Sequence, residues 1–221
     1  MFGTFVNALA VVLGALTGIT FKKKVPERIV NSLPEVIGLF TLYLGISMAL
    51  KSQRTLALLF SLILGEATGT FLRLQNRLEM LGGRFTSGDS KFIDGLMTAF
   101  LTFCVGPMTI IGSIRDGMGD PSIILAKSIM DGVVSIALAA SLGVGVLFSA
   151  VPLLLMQGSL ALLGSIAGQA LPEIVVNEIT ATGGVLMIGI GVNLIGLKRI
   201  RVGDGLPALL YASVLPLIIP F

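Results

Sequence analysis

Runs of about twenty apolar residues, each ended by a short polar break, recur along the whole chain. A helix needs about 20 such residues to cross roughly 30 Å of hydrocarbon. The pattern predicts eight spans: Met1 to Phe21, Val30 to Leu50, Thr55 to Leu72, Phe92 to Ile114, Pro121 to Ala150, Val151 to Leu171, Val175 to Leu197 and Leu206 to Phe221. The first ends at Lys22-Lys23-Lys24; no basic stretch precedes it and no small-x-small cleavage site follows, so it reads as a retained span rather than a signal peptide. Between spans five and six, at Val151-Pro152, no charge marks the boundary. The one long polar stretch, Arg73 to Lys91, opens with Leu74, Leu78, Met80 and Leu81 at helical spacing and Arg73 and Arg77 between them. That spacing predicts a short amphipathic helix at the interface. Gly82-Gly83 and Ser87-Gly88-Asp89 then loosen the chain.

Composition narrows the class. Of 221 residues 54% are hydrophobic and 12% charged, where a soluble domain carries about 25% charged residues. That excludes a soluble enzyme, and a nucleic-acid binder too, despite a pI near 9.2. With no His and a single Cys, His-based triads, Cys/His zinc sites and disulfide frameworks are excluded. The expectation is an all-α polytopic membrane helix bundle, one integral membrane domain over residues 1–221, with no enzymatic role, no cofactor and no metal. Alternate loops hold eleven basic residues on one side and three on the other. Basic loops stay cytoplasmic, so the bias places both termini outside and the interfacial segment 73–91 in the cytoplasm.

Sliding the chain against itself adds a repeat. At an offset of 146, Gly18 falls on Gly164, Pro26-Glu27 on Pro172-Glu173, Val30-Asn31 on Val176-Asn177, Gly38 on Gly184 and Gly45 on Gly191. Leu and Ala matches come cheaply in this composition; Pro, Glu and Asn matches do not. At an offset of 37, Asp94-Gly95 falls on Asp131-Gly132, Leu101 on Leu138 and Gly106 on Gly143. Segments 1–72 thus pair with 147–221, and 92–114 with 129–150, span three matching span eight by position alone. Each matched pair is an odd number of spans apart, so its members cross in opposite directions. This is the pattern of an inverted, circularly permuted repeat with its axis in the membrane plane; chance similarity between Gly-rich helices is the competing account.

Ionisable groups inside spans are costly and usually face the bundle interior or a water-filled path. Asp94 and Asp131 are equivalent by the repeat, and Lys127 sits four residues before Asp131, on one helix face with it. They read either as carboxylates in two half-pathways that bind a cation or carry protons, or as N-caps plus a structural ion pair. Glu66, inside Gly65-Glu-Ala-Thr-Gly69, reads as a buried functional or interhelical group. Glu178, Asn31 and Asn177 read as interface anchors. Gly106-Pro107 interrupts span four, and Pro inside a helix frees a carbonyl that must find a partner. The break is either a simple kink or a substrate-facing site, with Thr102, Thr109 and Ser113 supplying hydroxyls. Cys104 reads as a packing residue. Asn7, Gln157 and Asn193 are uncharged polar residues usually satisfied between helices, at about 0.6 kcal/mol each. Gly14-x-x-x-Gly18 and Gly164-x-x-x-Gly168 serve contacts within one protomer or across a homodimer, and spacing does not distinguish these.

The segments Phe103 to Asp120 (FCVGPMTIIGSIRDGMGD), Lys127 to Gly132 (KSIMDG), Gln157-Gly158 and Asn177 to Asn193 (NEITATGGVLMIGIGVN) resemble the YdfK/YqgA-like family. These are bacterial inner-membrane proteins classed as a domain of unknown function. The resemblance covers nearly the whole chain and implies a multi-spanning inner-membrane protein, with no substrate attached. Together the residues point to a small secondary transporter or channel for a small solute or ion, its candidate site being Asp94, Asp131, Lys127, Glu66, Gly106, Pro107 and Thr109. The expected partners are the lipid bilayer, that solute or ion and a second copy of the chain, with no nucleic acid. The alternative is a non-transporting scaffold, sensor or assembly protein.

Overall fold

The computed structural model describes residues 1–22, 27–83, 90–104, 106–167 and 171–219. Within them every regular element is a helix: α1 (Phe2–Lys22), α2 (Glu27–Ala49), α3 (Thr55–Leu72), α4 (Leu74–Gly83), α5 (Ser90–Cys104), α6 (Pro107–Gly117), α7 (Ser122–Leu142), α8 (Gly145–Phe148), α9 (Ala150–Ala167), α10 (Glu173–Leu194) and α11 (Ala208–Ile218). Five helices among the described residues are long and apolar enough to cross a membrane, and six if α5 and α6, bent by 65°, form one span. The long apolar runs therefore make a helical membrane protein.

The breaks differ from the sequence pattern in three places. Pro107 is not inside a helix: it opens α6 at the first helical position, with Gly106 extended ahead of it, where its missing N–H costs no hydrogen bond of its own helix. The fifth span is not continuous to Ala150. Gly143, at φ +78°, ends α7, a left-handed conformation that glycine adopts without the steric cost of a Cβ. The last span is shorter than its apolar run, since residues 202–207 form turns and α11 has only 11 residues.

The helices group into two compact units, Met1–Pro34 with Asp94–Leu171, and Glu35–Ile93 with Pro172–Phe221. In the first, α1 lies along α7 in the same direction, Gly3 meeting Ile124, Gly14 meeting Gly132 and Ser135, and Gly18 meeting Ile136 and Ala139. Gly14 and Gly18 press on the backbone of α7 so closely that a methyl group would not fit. Gly164 of α9 presses likewise on Ile114 of α6. These two glycines of α1 and Gly164 thus serve contacts within one chain, the close approach that small residues allow.

In the second unit α10 is the most buried of the long spans. It runs antiparallel to α2: a methyl at Gly45 would lie 2.8 Å from Gly184 O, and one at Gly191 3.0 Å from Gly38 O. Gly65 and Gly69 of α3 face Ala208 and Asp204 beside α11, and the Thr68 and Tyr211 hydroxyls share a 2.9 Å hydrogen bond. The packing yields a direct expectation. Gly14→Val, which forces a side chain into α7, should destabilise the protein by about 1–3 kcal/mol, read as a lower melting temperature in detergent. Leu13→Val, at a position 55% exposed, should leave the melt nearly unchanged. Equal melts for the two variants would contradict the packing.

Candidate functional site

The site in the first unit starts from a backbone carbonyl. In an unbroken helix the Phe103 carbonyl would accept from the N–H of residue 107, and Pro107 has none. Two side chains take its place: Thr109 Oγ1 donates to Phe103 O at 2.6 Å and Lys127 Nζ donates to it at 2.9 Å. The Lys127 ammonium also stands 5.8 Å from the Phe103 ring centre, within cation–π range. Its second partner is Asp131 Oδ2 at 2.5 Å, one turn along α7. Asn7 of α1 then donates from Nδ2 to Asp131 Oδ2 at 3.0 Å and to Gln157 Oε1 of α9 at 3.2 Å.

The carboxylate fixes the orientation of both amides, since only an N–H can face it and only an oxygen can then accept from Asn7. That choice leaves Asn7 Oδ1 and Gln157 Nε2 without hydrogen-bond partners, on side chains that are fully buried. Lys127 and Asp131 are 7% and 6% exposed. Five helices, α1, α5, α6, α7 and α9, thus contribute one ammonium, one carboxylate, one freed carbonyl, one hydroxyl and a pair of amides with one acceptor and one donor to spare.

Of the residues singled out by sequence, Lys127, Asp131, Thr109, Gly106 and Pro107 come together here. The capping alternative for Asp131 does not hold, because it lies in the middle of α7. Asp94, half-buried, is the fifth residue of α5. Its neighbour Gly95 packs on Leu142, eleven residues beyond Asp131, or about 16 Å along α7 at 1.5 Å per residue. Asp94 and Asp131 therefore stand at separate levels. Glu66 is not buried as expected: it is exposed on α3, hydrogen-bonded by Thr70. Asn7 and Gln157 were expected only as satisfied interhelical groups, and they complete the site. Cys104 is buried and not in a disulfide.

Three further buried carboxylates anchor backbone rather than form a site. Asp116 accepts from Gly3 N at 3.0 Å, Thr4 N at 2.9 Å and Thr4 Oγ1 at 2.8 Å, capping α1. Glu178, fully buried on α10, accepts from Ser52 Oγ at 2.9 Å, Gln53 N at 2.6 Å and Arg54 N at 2.8 Å, bracing the entry to α3. Asp204 accepts from Gln75 N and Arg201 Nε, each at 2.9 Å, holding the first turn of α4. The first N–H groups of a helix have no intrahelical partner and favour negative charge, so carboxylates fall naturally at such ends. Glu178, read from sequence as an interface anchor, holds the backbone that leads into α3. Asp116 and Asp204 fell in stretches read as turn and loop. Among the described residues no group of three or more His, Cys, Asp or Glu side chains could hold a metal ion.

Membrane-length apolar helices, a charge-poor composition and an ion pair satisfied within the fold define a multi-helix membrane protein. The chain belongs to the family described as protein of unknown function (DUF554), whose pattern matches residues 2–217. It is 31% identical over 224 residues to the uncharacterized membrane protein YdfK of Bacillus subtilis (strain 168), covering 99% of this chain and 97% of that one. It is also 31% identical over 220 residues to the uncharacterized protein YqgA of Escherichia coli (strain K12), covering 95% and 94%. No solved structure matches it.

Removing one member of a buried ion pair strands the other charge, at about 3–5 kcal/mol, whereas replacing both by apolar groups is close to neutral. Lys127→Met and Asp131→Leu should each lower the melting temperature sharply, and the double variant should recover much of the loss. Thermal unfolding in detergent reads this; a double variant as unstable as the two losses added would contradict the pairing.

Proposed function

We propose that the chain is a small secondary transporter or channel of the bacterial inner membrane, with the Lys127–Asp131 pair as its cation- or proton-handling group. The observation that carries this reading is the pair itself: an ammonium and a carboxylate hung on a carbonyl freed by a helix break, beside amides with unused hydrogen-bonding capacity. Discontinuous helices that expose backbone groups inside a bundle commonly form transporter binding sites. Protonation of Asp131, or a cation displacing Lys127 from it, would break the pair and release Asn7.

The reading includes the inverted repeat, with which the glycine contacts agree. Adding 146 to Gly38 and Gly45 gives Gly184 and Gly191, and the contact of Gly45 with Gly184 is matched by that of Gly191 with Gly38. Both glycines paired by the offset of 37, Gly106 and Gly143, stand at helix breaks. The helices matched by the two offsets share a unit: α1 with α9 and most of α5 with α7 in the first, most of α2 with α10 in the second. Parallel packing of α1 and α7 requires an odd number of crossings between them, which α2, α3 and the bent α5–α6 pair supply if that pair is one span. We read the chain as crossing eight times, with both termini outside because basic loops stay cytoplasmic. In this reading the chain is not an enzyme and takes no nucleic acid, and a homodimer would use a face other than Gly14, Gly18 and Gly164.

A second reading, a non-transporting scaffold, sensor or assembly protein, draws support from Asp116, Glu178 and Asp204, carboxylates that this chain uses to hold backbone. Flux separates the two. Purified protein in liposomes should move at least one solute or ion of a panel under a proton or sodium gradient. Asp131→Asn, with its fold verified by an unchanged elution profile, should slow that flux at least about tenfold, the loss general acid–base or charge-coupled groups usually carry. Asp94→Asn should slow it as well. A panel in which nothing moves, or a folded Asp131→Asn that transports like the parent, overturns the reading.

A further inference from the structure

A second charged feature lies where α3 passes into α4, outside the buried pair. Arg73, Asn76, Arg77, Glu79 and Met80 line an open recess of about 700 Å³. Arg73 and Arg77 are four residues apart, and neither guanidinium has a hydrogen-bond or ion-pair partner among the described residues. Like charges at that spacing on a helix repel, so the arrangement calls for an anion.

Among the described residues, two other charged side chains at or beside the recess have partners. Arg201 donates to Asp204 at 2.9 Å and to Asn76 Oδ1 at 2.6 Å, and it also faces Glu66. Glu79 accepts from the Gln75 amide at 3.0 Å. Arg73 and Arg77 against Glu79 leave the lining one unit positive. The mount is rigid: Asp204 holds Gln75 N, and Gly203 N donates to Gln75 Oε1 at 2.9 Å. Arg73 takes φ 52°, alone among the described non-glycine residues in having a positive φ. That capping position favours glycine, so an arginine there carries a steric cost.

Met80 lines the recess with the two arginines, and Phe71 and Leu72 immediately precede Arg73 in the chain. Phe71 is 86% exposed, Met80 65% and Leu72 40%, at the end of a span-length helix. Exposed aromatic and basic groups at the end of a span are the mark of the lipid interface. We propose that this recess binds the phosphodiester headgroup of a singly charged anionic lipid, with Arg73 and Arg77 on the phosphate and Phe71 and Met80 against the acyl chains. Guanidinium is suited to the task by its paired N–H groups, which match phosphate oxygens.

Native mass spectrometry and thermal shift of the whole protein in detergent test this with three probes: phosphatidylglycerol, phosphatidylcholine and soluble glycerol 3-phosphate. Phosphatidylglycerol should be retained and raise the melting temperature, and the other two should not. Arg73→Gln with Arg77→Gln should weaken retention about 25-fold, two guanidiniums at about fivefold each, with the melt in phosphatidylcholine unchanged. Glu79→Gln, which removes the opposing charge, should tighten retention. Equal retention of phosphatidylcholine, a response to glycerol 3-phosphate alone, or a Glu79→Gln variant that binds no better would each overturn the proposal.

Discussion

The Phe103 carbonyl organises the first unit. A proline four residues later removes the N–H that would have closed the helix onto it. In a membrane-spanning region there is little water to fill that gap, so the chain brings Lys127 and Thr109 to it. An ammonium drawn there needs a counter-charge, which Asp131 supplies from one turn along α7. The carboxylate then draws Asn7, and Asn7 draws Gln157. Each step satisfies one group and exposes the need of the next, ending at two amide atoms with none to answer them.

The same constraint governs the other buried charges. A chain with only 12% charged residues spends several carboxylates on helix ends and on the entry to a helix. Asp116 at α1, Glu178 before α3 and Asp204 at α4 each accept two or more hydrogen bonds, backbone N–H among them. A carboxylate in this position meets donors that already carry the positive end of a helix dipole; Asp116 faces the Met1 ammonium as well, at 3.3 Å, and Asp204 the Arg201 guanidinium, at 2.9 Å. Asp131 is different in kind, since it lies in the middle of α7 with its backbone already paired in the helix. Only a side-chain cation and an amide offset its burial, and these are partners that protonation or an ion can replace. That contrast separates the candidate site from the structural carboxylates.

Much of this was legible in the residues. Spacing of four placed Lys127 and Asp131 together, and Gly-Pro marked the break between α5 and α6. What spacing could not supply was the third dimension: that the freed carbonyl and the lysine 24 residues on would meet, or that Asn7 and Gln157 would converge from α1 and α9. Gly143 escaped notice as a break because apolar residues flank it on both sides, so hydropathy runs through it. Glu66 was expected to be buried because glycines flank it, yet helix geometry argues otherwise. Gly65 and Gly69 share one face toward α11, and residue 66 is turned about 100° from Gly65 and about 60° from Gly69 at 3.6 residues per turn. Asp116 and Asp204 lay in segments read as connections, where a carboxylate gives no hint of which distant helix end it will cap.

The central claim is that Pro107 makes the site by freeing the Phe103 carbonyl for Lys127. A double-mutant cycle between Pro107→Ala and Lys127→Met, read as thermal stability in detergent, tests it most directly. Alanine restores an N–H that competes for the carbonyl, so Lys127→Met should cost less in the Pro107→Ala background, by a coupling of about 0.5–3 kcal/mol. An identical cost in both backgrounds would show that the lysine does not depend on the break, and would contradict the account.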